Sequence, residues 1–396
     1  MASWDLRVRV GLGGRIITTK RKSTIRKPAA NGAKKVVAKP EILPASGIAD
    51  RDTPLIKNCW YVLDWAADVK RTLKNRMVLN QDLVYFRAKG GEVVVLQNRC
   101  GHRCFPLHRS TLHKKNDTIQ CGYHGLTYGT DGTCVKIPSA LDLDPSYVKI
   151  QAYPVIEKGP MVWVWPGDPA KADPKLVPDY DWIMEDGWGY GDGFYHVKGN
   201  YLQIHENLMD ITHFQYLHGA ALGTAKHAEA KIKVTVKGNT VDNYRVNTGE
   251  GVPGLHLKAT GLGDAIIERH AHSTFVTPGF HDAKGMFIDP KGTNKGRKEY
   301  RPQILHFITP ETQYTSLYWW CFARDFSPTN KKYDQMYSKA TRAVFEEDKD
   351  AIEWIEDQWA RDDRPAFREN HVPTDEGAVR MRRIVHKMAV QEAMNR

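Results

Sequence analysis

The feature that most restricts the fold of this chain is a pair of short Cys/His motifs, at residues 100–102 and 121–124. Eighteen residues separate His102 from Cys121, so the chain offers two thiolates and two imidazoles at metal-ligand spacing. Such a set binds either one zinc ion or a [2Fe–2S] cluster in which two histidines replace two cysteines on one iron. Either centre requires the two loops to lie close together.

The residues around both motifs are rich in β-strand signals. The stretches 76–88 and 92–98 favour strands, and a Lys-Gly-Gly turn separates them. We therefore predict a small antiparallel β-domain over residues 55–165, with both motifs in loops between strands. This setting, and the segments HRCFPL and YHGLTYGTDG within the two motif loops, favour the iron–sulfur cluster over zinc.

A second group of polar residues lies in ENLMDITHFQYLHG, residues 206–219. Asp210 and His213 are three residues apart, so they share one face of a helix. His218 converges with them only if the helix ends or distorts nearby, and Gly219 is suitably placed to end it. Two histidines and a carboxylate with open positions form the facial triad of non-haem Fe(II) oxygenases.

The third ligand of this triad must come from elsewhere, and we predict Asp348. A predicted helix over 331–361 carries one apolar stripe, formed by Met336, Ala340, Val344, Ile352, Ile355 and Trp359. Asp348 lies on that stripe, whereas Glu346, Glu347 and Asp350 fall off it, and Glu347 is expected to be dispensable for iron binding. A carboxylate facing a core is costly unless it binds a metal or, as the alternative, pairs with an arginine.

The remaining sequence indicates two domains, as expected for 396 residues. Beyond residue 166 we predict a helical stretch around 202–218, the long helix, and strands at 231–238, 265–276, 303–310 and 314–326. The expected fold class is α+β: an all-β domain followed by a catalytic domain, residues 166–396, with a curved antiparallel sheet and covering helices. Five residues fall in segments expected to line a pocket, although each is expected to be a core or sheet residue: His270, His272, Phe275, Trp319 and Trp320.

The net charge of +11 is concentrated at the N-terminus. Residues 1–39 hold eleven Lys and Arg against one Asp, which leaves about +1 for the rest of the chain. We assign residues 1–50 to a basic arm and linker, with a transit peptide as the alternative. The nearly neutral body argues against nucleic-acid binding, and no apolar run is long enough to predict a membrane span. Six scattered cysteines favour a reducing compartment, so we expect a cytoplasmic protein.

Taken together, these motifs resemble the oxygenase (alpha) components of Rieske non-haem iron oxygenases over roughly residues 55–390. The motif N-x-x-D-x-x-H-x4-H of that family is matched by Asn207, Asp210, His213 and His218. The segment FEEDK resembles the one that carries the ligating Asp, here Asp348. The segments NCWYV and DEGAVRMRRIV resemble the group that includes aromatic O-demethylases and ring-hydroxylating enzymes.

The resemblance implies two metal centres. Cys100 and Cys121 would bind one iron of a Rieske [2Fe–2S] cluster, and His102 and His124 would bind the other. The mononuclear Fe(II) would be bound by His213, His218 and Asp348. Respiratory Rieske proteins carry an extra disulfide-forming cysteine where this chain has Tyr123, so a cluster of lower potential is expected.

The resemblance also implies catalytic roles for Asn207 and Asp210. The Asp210 carboxylate would link His213 to His124 of a neighbouring copy and so carry electrons between subunits, which requires a homotrimer. The chain has no convincing flavin, NAD or plant-type ferredoxin motif, so a ferredoxin or flavin reductase would deliver electrons from NAD(P)H.

The expected function is that of a terminal oxygenase that uses O2 on a small aromatic substrate, by monooxygenation such as O-demethylation or hydroxylation. The alternative within the same family is cis-dihydroxylation. Two readings from other classes also stay open at this point: a Rieske-type electron carrier with a degenerate second domain, and a zinc-stapled binding protein.

Overall fold

The structure is a computed structural model that describes residues 46–219, 230–362 and 369–394. The basic arm predicted over 1–39 lies outside these ranges. The predicted β-domain and catalytic domain both belong to one compact unit, residues 41–396. Within the described ranges, no helix is both long and apolar enough to cross a lipid bilayer.

Ten short strands build the first part of the chain. They are β1 Tyr61–Trp65, β2 Lys74–Val78, β3 Gln81–Arg87, β4 Val93–Gln97, β5 Thr111–His113, β6 Thr118–Gln120, β7 Thr127–Tyr128, β8 Cys134–Lys136, β9 Val155–Lys158 and β10 Met161–Val164. They pair antiparallel in three sheets, ordered β1-β10-β9, β2-β3-β4 and β5-β6-β7-β8. The predicted all-β region is confirmed, and its two Cys/His motifs lie in the loops β4–β5 and β6–β7.

Eight further strands form one antiparallel sheet. They are β11 Gly189–Val197, β12 Lys233–Lys237, β13 Thr240–Gly251, β14 Ile266–Thr277, β15 Phe280–Ile288, β16 Glu299–Tyr300, β17 Pro302–Pro310 and β18 Ser316–Arg324. The order is β11-β18-β17-β15-β14-β13-β12, and β16 pairs with β15. The four predicted strands correspond to β12, β14, β17 and β18, whereas β11, β13 and β15 were not predicted.

The two faces of this sheet pack against different partners, because successive side chains of a strand point to opposite faces. Every residue of β18 is buried. Trp320 belongs to the core beneath the helices, as does Phe275 of β14. Trp319 belongs to a second core, which it shares with Trp163 of β10. The β-domain is therefore joined to the back of the catalytic sheet, and these three aromatic residues are core residues.

Four helices within the described residues accompany the sheet. They are α1 Tyr201–Met209, the short α2 Leu257–Thr260, α3 Lys331–Arg361 and α4 Glu376–Met394. The boundaries predicted for α3 are confirmed. Its first turn is capped by the Asn330 side chain, which accepts a hydrogen bond from the Lys332 main-chain N–H. The C-terminal helix α4 was not predicted.

The buried stripe of α3 differs from the prediction at its C-terminal end. Val344, Asp348 and Ile352 are buried as expected, but Ile355 is 46% exposed. The next buried position is Glu356, whose carboxylate accepts a hydrogen bond of 3.0 Å from the Gln203 side chain. A hydrophobicity pattern misses such a position, because a polar partner from another element makes the burial of a carboxylate tolerable.

Candidate functional site

The predicted helix over 202–218 is interrupted where the candidate ligands begin. α1 ends at Met209, and a separate 3-10 turn covers Ile211–Gln215. Asp210 stands between the two, and its carboxylate accepts a 2.9 Å hydrogen bond from the Thr212 main-chain N–H. The expected distortion of the helical stretch is therefore present, but it lies at Asp210, which caps a new turn, and not at Gly219, nine residues later.

This break brings three predicted ligands together. The Nε2 atoms of His213 and His218 lie 3.3 Å and 3.1 Å from Asp348 Oδ1. Ligand atoms of all three residues lie within 4.8 Å of one another, and no other group of three His, Cys, Asp or Glu side chains does so in the described part of the chain. The arrangement matches two histidines and one carboxylate of a facial triad.

The hydrogen bonds on the far side of each ring decide which nitrogen faces this centre. His213 Nδ1 lies 2.6 Å from the main-chain oxygen of Asp210, and His218 Nδ1 lies 2.7 Å from Glu347 Oε2. A carbonyl or carboxylate oxygen only accepts, so each Nδ1 carries the proton and each Nε2 presents a lone pair. Both Nε2 atoms are buried and lack a hydrogen-bond partner among the described residues.

Three atoms that carry lone pairs thus face one another, which is unfavourable unless a cation lies between them. Burial alone would raise the pKa of Asp348, but the close approach of His213 and His218 outweighs it and leaves that pKa far below its usual range. Burial opposes protonation of His218, yet Asp348 and Glu347 raise its pKa. Two imidazole nitrogens and one carboxylate oxygen are a donor set that fits Fe(II).

Of the two predicted catalytic residues, one contacts a predicted ligand through its side chain and the other through its main chain. Asn207 Nδ2 donates a 2.9 Å hydrogen bond to Asp348 Oδ1 and so holds the carboxylate in place. The Asp210 carboxylate does not bond His213 as predicted, because the main-chain oxygen of Asp210 makes that contact. Its second oxygen accepts a 3.3 Å hydrogen bond from Thr374 Oγ1. The apolar stripe of α3 also gave no indication that Glu347 contacts His218.

A cavity with about 840 Å³ of empty space, its open mouth included, reaches the three ligands. Its wall includes apolar side chains, among them Phe214 and Phe345, and the cationic Arg269. Burial lowers the pKa of Arg269 to about 10, which leaves it charged at neutral pH. His270 and His272 border the cavity, as expected for their segment, whereas Phe275, Trp319 and Trp320 are not part of its wall.

Three fully buried histidines near the cavity were missed by the sequence analysis. His306 lines the wall, and its Nδ1 lies 2.7 Å from Tyr318 Oη. His281 Nε2 lies 2.8 Å from Oγ of Ser273, another wall residue, and its ring is 5.6 Å from that of His205. Burial lowers the pKa of His205 to about 4 and that of His306 to about 3, so both are neutral. Side chains along β15 and β17 alternate between the two faces of the sheet, and this alternation is the signal that could have placed His281 and His306 on the cavity face.

The two Cys/His loops have matching backbones. The main-chain N–H groups of Cys104 and Gly125 donate to the carbonyl oxygens of Cys100 and Cys121, at 3.0 and 3.1 Å. Cys104 and Gly125 also share the left-handed conformation, with φ of 58° and 75°. Each loop therefore turns sharply just after its motif, as two loops that hold one centre between them would.

The four side chains of these loops separate into two pairs. The Cys100 and Cys121 side chains are buried and contact each other. The rings of His102 and His124 are exposed, with centroids 4.7 Å apart. No three of these ligand atoms lie within 4.8 Å of one another, although a single tetrahedral zinc would require it. An inner thiol pair and an outer imidazole pair fit a cluster of two irons.

Known proteins share both halves of this arrangement. Residues 59–154 match the Rieske [2Fe-2S] domain, and residues 197–391 match the vanillate O-demethylase oxygenase C-terminal domain. The iron-sulfur subunit TsaM1 of the toluene-4-sulfonate monooxygenase system from Comamonas testosteroni is 32% identical over 313 residues, which cover 75% of this chain and 87% of that protein. The chain belongs to the Rieske non-haem iron oxygenases.

Further relatives agree with this membership. The vanillate O-demethylase oxygenase subunit of Pseudomonas sp. (strain ATCC 19151) is 31% identical over 332 residues, which cover 80% of this chain and 96% of that subunit. A crystal structure of dicamba monooxygenase bound to 3,6-dichlorosalicylic acid superposes with a TM-score of 0.79 at 28% identity, covering 86% of this chain and 99% of that one. The predicted α+β fold class is confirmed.

As a Rieske non-haem iron oxygenase, the chain is an oxidoreductase with a Rieske [2Fe–2S] cluster and a mononuclear iron as its cofactors. Both cofactors were predicted from the sequence. The relatives are oxygenase components of multicomponent systems, so this oxygenase also depends on a separate source of electrons. The electron carrier and the zinc-stapled binding protein are excluded as readings of the chain.

Proposed function

We propose that this oxygenase is the terminal component of a system that monooxygenates a small aromatic acid, by O-demethylation or by hydroxylation. The observation that carries the proposal is the position of His213, His218 and Asp348 together on the wall of one largely apolar cavity. The named activities of its relatives are monooxygenations, which favours this outcome over cis-dihydroxylation.

The side chains of the cavity support an anionic aromatic substrate. Apolar residues, including Ile211, Phe214 and Phe345, can pack against a ring and exclude water. Arg269 and Lys284 border the same cavity and can attract a carboxylate or sulfonate group. When bound, the mononuclear iron supplies O2 activation and the Rieske cluster supplies electrons that originate in NAD(P)H.

We assign the ligands as the sequence predicted them. The cluster would be held by Cys100, His102, Cys121 and His124, and the mononuclear Fe(II) by His213, His218 and Asp348. Asn207 holds the Asp348 carboxylate through its 2.9 Å hydrogen bond. The main-chain oxygen of Asp210 orients His213.

Electron delivery is proposed to cross between subunits of a homotrimer. His124 is exposed in its cluster loop, and one carboxylate oxygen of Asp210 makes a long 3.3 Å contact with Thr374. That oxygen can accept a hydrogen bond from His124 of a neighbouring copy, as the family resemblance implies. A ferredoxin or flavin reductase would reduce the cluster, in the reducing cytoplasm that six free cysteines favour.

A substrate panel tests the reaction. The purified oxygenase would receive electrons from a surrogate ferredoxin and reductase under ¹⁸O2, with methoxylated and unsubstituted aromatic acids and their neutral methyl esters. We expect formaldehyde and a phenol from a methoxylated acid, or a hydroxylated product with one ¹⁸O atom. A cis-diol with two ¹⁸O atoms would identify dihydroxylation instead, and equal turnover of the esters would contradict the preference for anions.

A mixed-chain experiment tests the electron path. Chains with Cys100→Ala lack the cluster, and chains with His213→Ala lack the mononuclear iron, so neither is active alone. Co-expressed and purified as mixed oligomers, they should regain activity, because an intact cluster can then serve an intact iron in the adjacent chain. If the mixture stays inactive although mixed oligomers form, electrons do not cross between subunits.

A further inference from the structure

The ring of His218, a proposed iron ligand, lies beside two consecutive residues of α3. Its Nε2 lies 3.1 Å from Asp348 Oδ1, and its Nδ1 lies 2.7 Å from Glu347 Oε2. The His218 side chain is fully buried, whereas the Glu347 side chain is 50% exposed. The half-exposed carboxylate of Glu347 thus reaches the buried ring of His218. The sequence pattern of α3 had assigned no role to Glu347.

We propose that Glu347 is a positioning residue of the mononuclear iron site, which fixes the tautomer and orientation of His218 and thereby sets the affinity for the metal. The proposal rests on His218 and Asp348 being iron ligands, as proposed above. It adds a residue that touches neither the metal nor the substrate.

The chemistry of the contact leads to this role. A carboxylate can only accept, so Glu347 requires the proton of His218 on Nδ1 and leaves the lone pair of Nε2 for the metal. A hydrogen bond to a charged acceptor is stronger than one between neutral groups, and it makes the opposite nitrogen a better donor to a metal. Without Glu347 the ring loses the contact that fixes its orientation and keeps its proton on Nδ1, so His218 becomes a weaker ligand.

The second histidine of the site shows why Glu347 is the informative residue. His213 donates its Nδ1 proton to the main-chain oxygen of Asp210, at 2.6 Å, and no side-chain substitution removes that acceptor. Of these two histidines, only His218 depends on another side chain for its orientation. Replacement of Glu347 therefore perturbs one ligand without deleting any.

The helix geometry explains how neighbours in sequence serve the same ring. Consecutive residues of a helix point about 100° apart, so Asp348 faces the core while Glu347 points to one side of it. His218 lies in that sector and meets both carboxylates. Glu346, one residue earlier, points elsewhere and accepts a 3.0 Å hydrogen bond from Lys349 Nζ. It has the same charge on the same helix, and it has no contact with His213, His218 or Asp348, so it is a matched control.

Metal affinity, rather than activity, is the direct readout. Protein with an intact cluster would be stripped of mononuclear iron and titrated with Co(II) against a chromophoric chelator, for Glu347→Ala, Glu347→Gln, Glu346→Gln and His218→Ala. We expect Co(II) affinity about 10–100-fold lower for Glu347→Ala and lower by a smaller factor for Glu347→Gln, whose amide oxygen is an uncharged acceptor. Glu346→Gln should match the wild type, and the Co(II) absorption bands should shift only in the Glu347 variants.

The possible outcomes distinguish this inference from the ligand assignment on which it rests. If His218→Ala loses Co(II) binding but both Glu347 variants bind like the wild type with unshifted bands, the positioning role is overturned and the ligand set stands. If His218→Ala keeps wild-type affinity, the ligand assignment itself is wrong. An unchanged visible spectrum of the cluster in Glu347→Gln, together with weaker Co(II) binding, supports the role and rules out a general folding defect.

Discussion

Asp348 is a carboxylate on the buried side of α3, where its three polar neighbours make its burial tolerable. Asn207 donates a hydrogen bond to it, and His213 and His218 would share a bound metal ion with it. Removal of this carboxylate leaves two imidazoles, which bind Fe(II) more weakly than a complete facial triad. The cluster loops lie in another part of the chain and keep all their ligands.

We therefore predict that Asp348→Ala loses about one iron per chain and all turnover, while the visible spectrum of the cluster stays unchanged. Iron analysis and absorption spectroscopy measure both quantities on one sample. Glu346→Ala is the control and should keep its iron. Full iron content in Asp348→Ala would show that the third ligand is another residue.

Tyr128 is the residue through which we expect the protein to act on Cys100, a proposed ligand of the cluster. Its hydroxyl accepts a 3.0 Å hydrogen bond from the Gly101 main-chain N–H and lies 3.1 Å from Cys100 Sγ. Burial, reinforced by Cys100, raises the pKa of Tyr128 far above its usual value, so the hydroxyl keeps its proton. A thiolate that binds iron has no proton to donate, so the Tyr128 hydroxyl would donate to the sulfur when Cys100 is a cluster ligand.

A hydrogen bond to a cluster sulfur stabilises the reduced, more negative state. We predict that Tyr128→Phe lowers the reduction potential of the cluster by about 40 mV, which corresponds to about 1 kcal/mol for one electron. A redox titration followed by EPR measures the shift. Tyr153→Phe is the control, since Tyr153 donates instead to the Gln81 side chain, and an unchanged potential in Tyr128→Phe would refute the role.

At the scale of elements, the break between α1 and its 3-10 turn positions His213. The Asp210 carboxylate caps the turn through Thr212, while the main-chain oxygen of the same residue holds His213. Asparagine is as good a cap as aspartate, so Asp210→Asn should preserve the turn and both metal centres. What it removes is the negative charge at the proposed crossing point between subunits.

We predict that Asp210→Asn keeps its cluster and nearly all of its mononuclear iron but delivers electrons far more slowly. The charge-assisted hydrogen bond to His124 of the neighbouring copy would be weakened. Rapid-mixing measurement of cluster reoxidation in a single turnover reports the rate. A wild-type rate would mean that the Asp210 carboxylate serves only as a cap.

The contact between β11 and α3 depends on glycine. β11 contains three glycines in alternate positions, and a Cβ on the central one, Gly191, would overlap the main-chain oxygen of Asp334 and the Ser338 side chain of α3. Glycine is a poor strand former, which is why this strand was not predicted. Here the close approach of a helix requires it.

We predict that Gly191→Ala lowers the free energy of unfolding by about 1–3 kcal/mol, as overpacking does, and also weakens iron binding by displacing α3. Urea unfolding and iron analysis measure the two effects. Gly251→Ala is the control, because nothing lies within 4 Å of its added methyl group. Equal stability of Gly191→Ala and the wild type would contradict the close packing.

At the scale of the whole molecule, the positive charge and the proposed metal ligands lie in different parts of the chain. Residues 1–39 carry +10 of the net charge of +11 and none of the proposed ligands. We predict that deletion of residues 1–39 leaves both metal centres and the activity at saturating redox partner intact. At low partner concentration and low salt the rate should fall, because exposed charges act mainly on association. Loss of either centre on deletion would show that the arm is structural.

The amino-acid sequence by itself determined the fold class, both cofactors and the length of α3. These are encoded in local properties: ligand types at fixed spacing, strand and turn signals, and a helical repeat. The same local rules missed β11, whose glycines are explained only by the helix packed upon it. They also placed Ile355 in the core, where the structure instead buries Glu356.

Only the tertiary structure decided how the residues of the proposed iron site meet. Asp348 meets Asn207 across 141 residues, and Glu347 meets His218 across 129, so neither contact leaves a signal in any local pattern. Whether Asp210 holds His213 by its carboxylate or by its main chain depends on where α1 ends, and sequence spacing assumes an unbroken helix. Side-chain orientation between distant elements is set by packing, and so hydrogen-bond partners follow from the fold rather than from the motif.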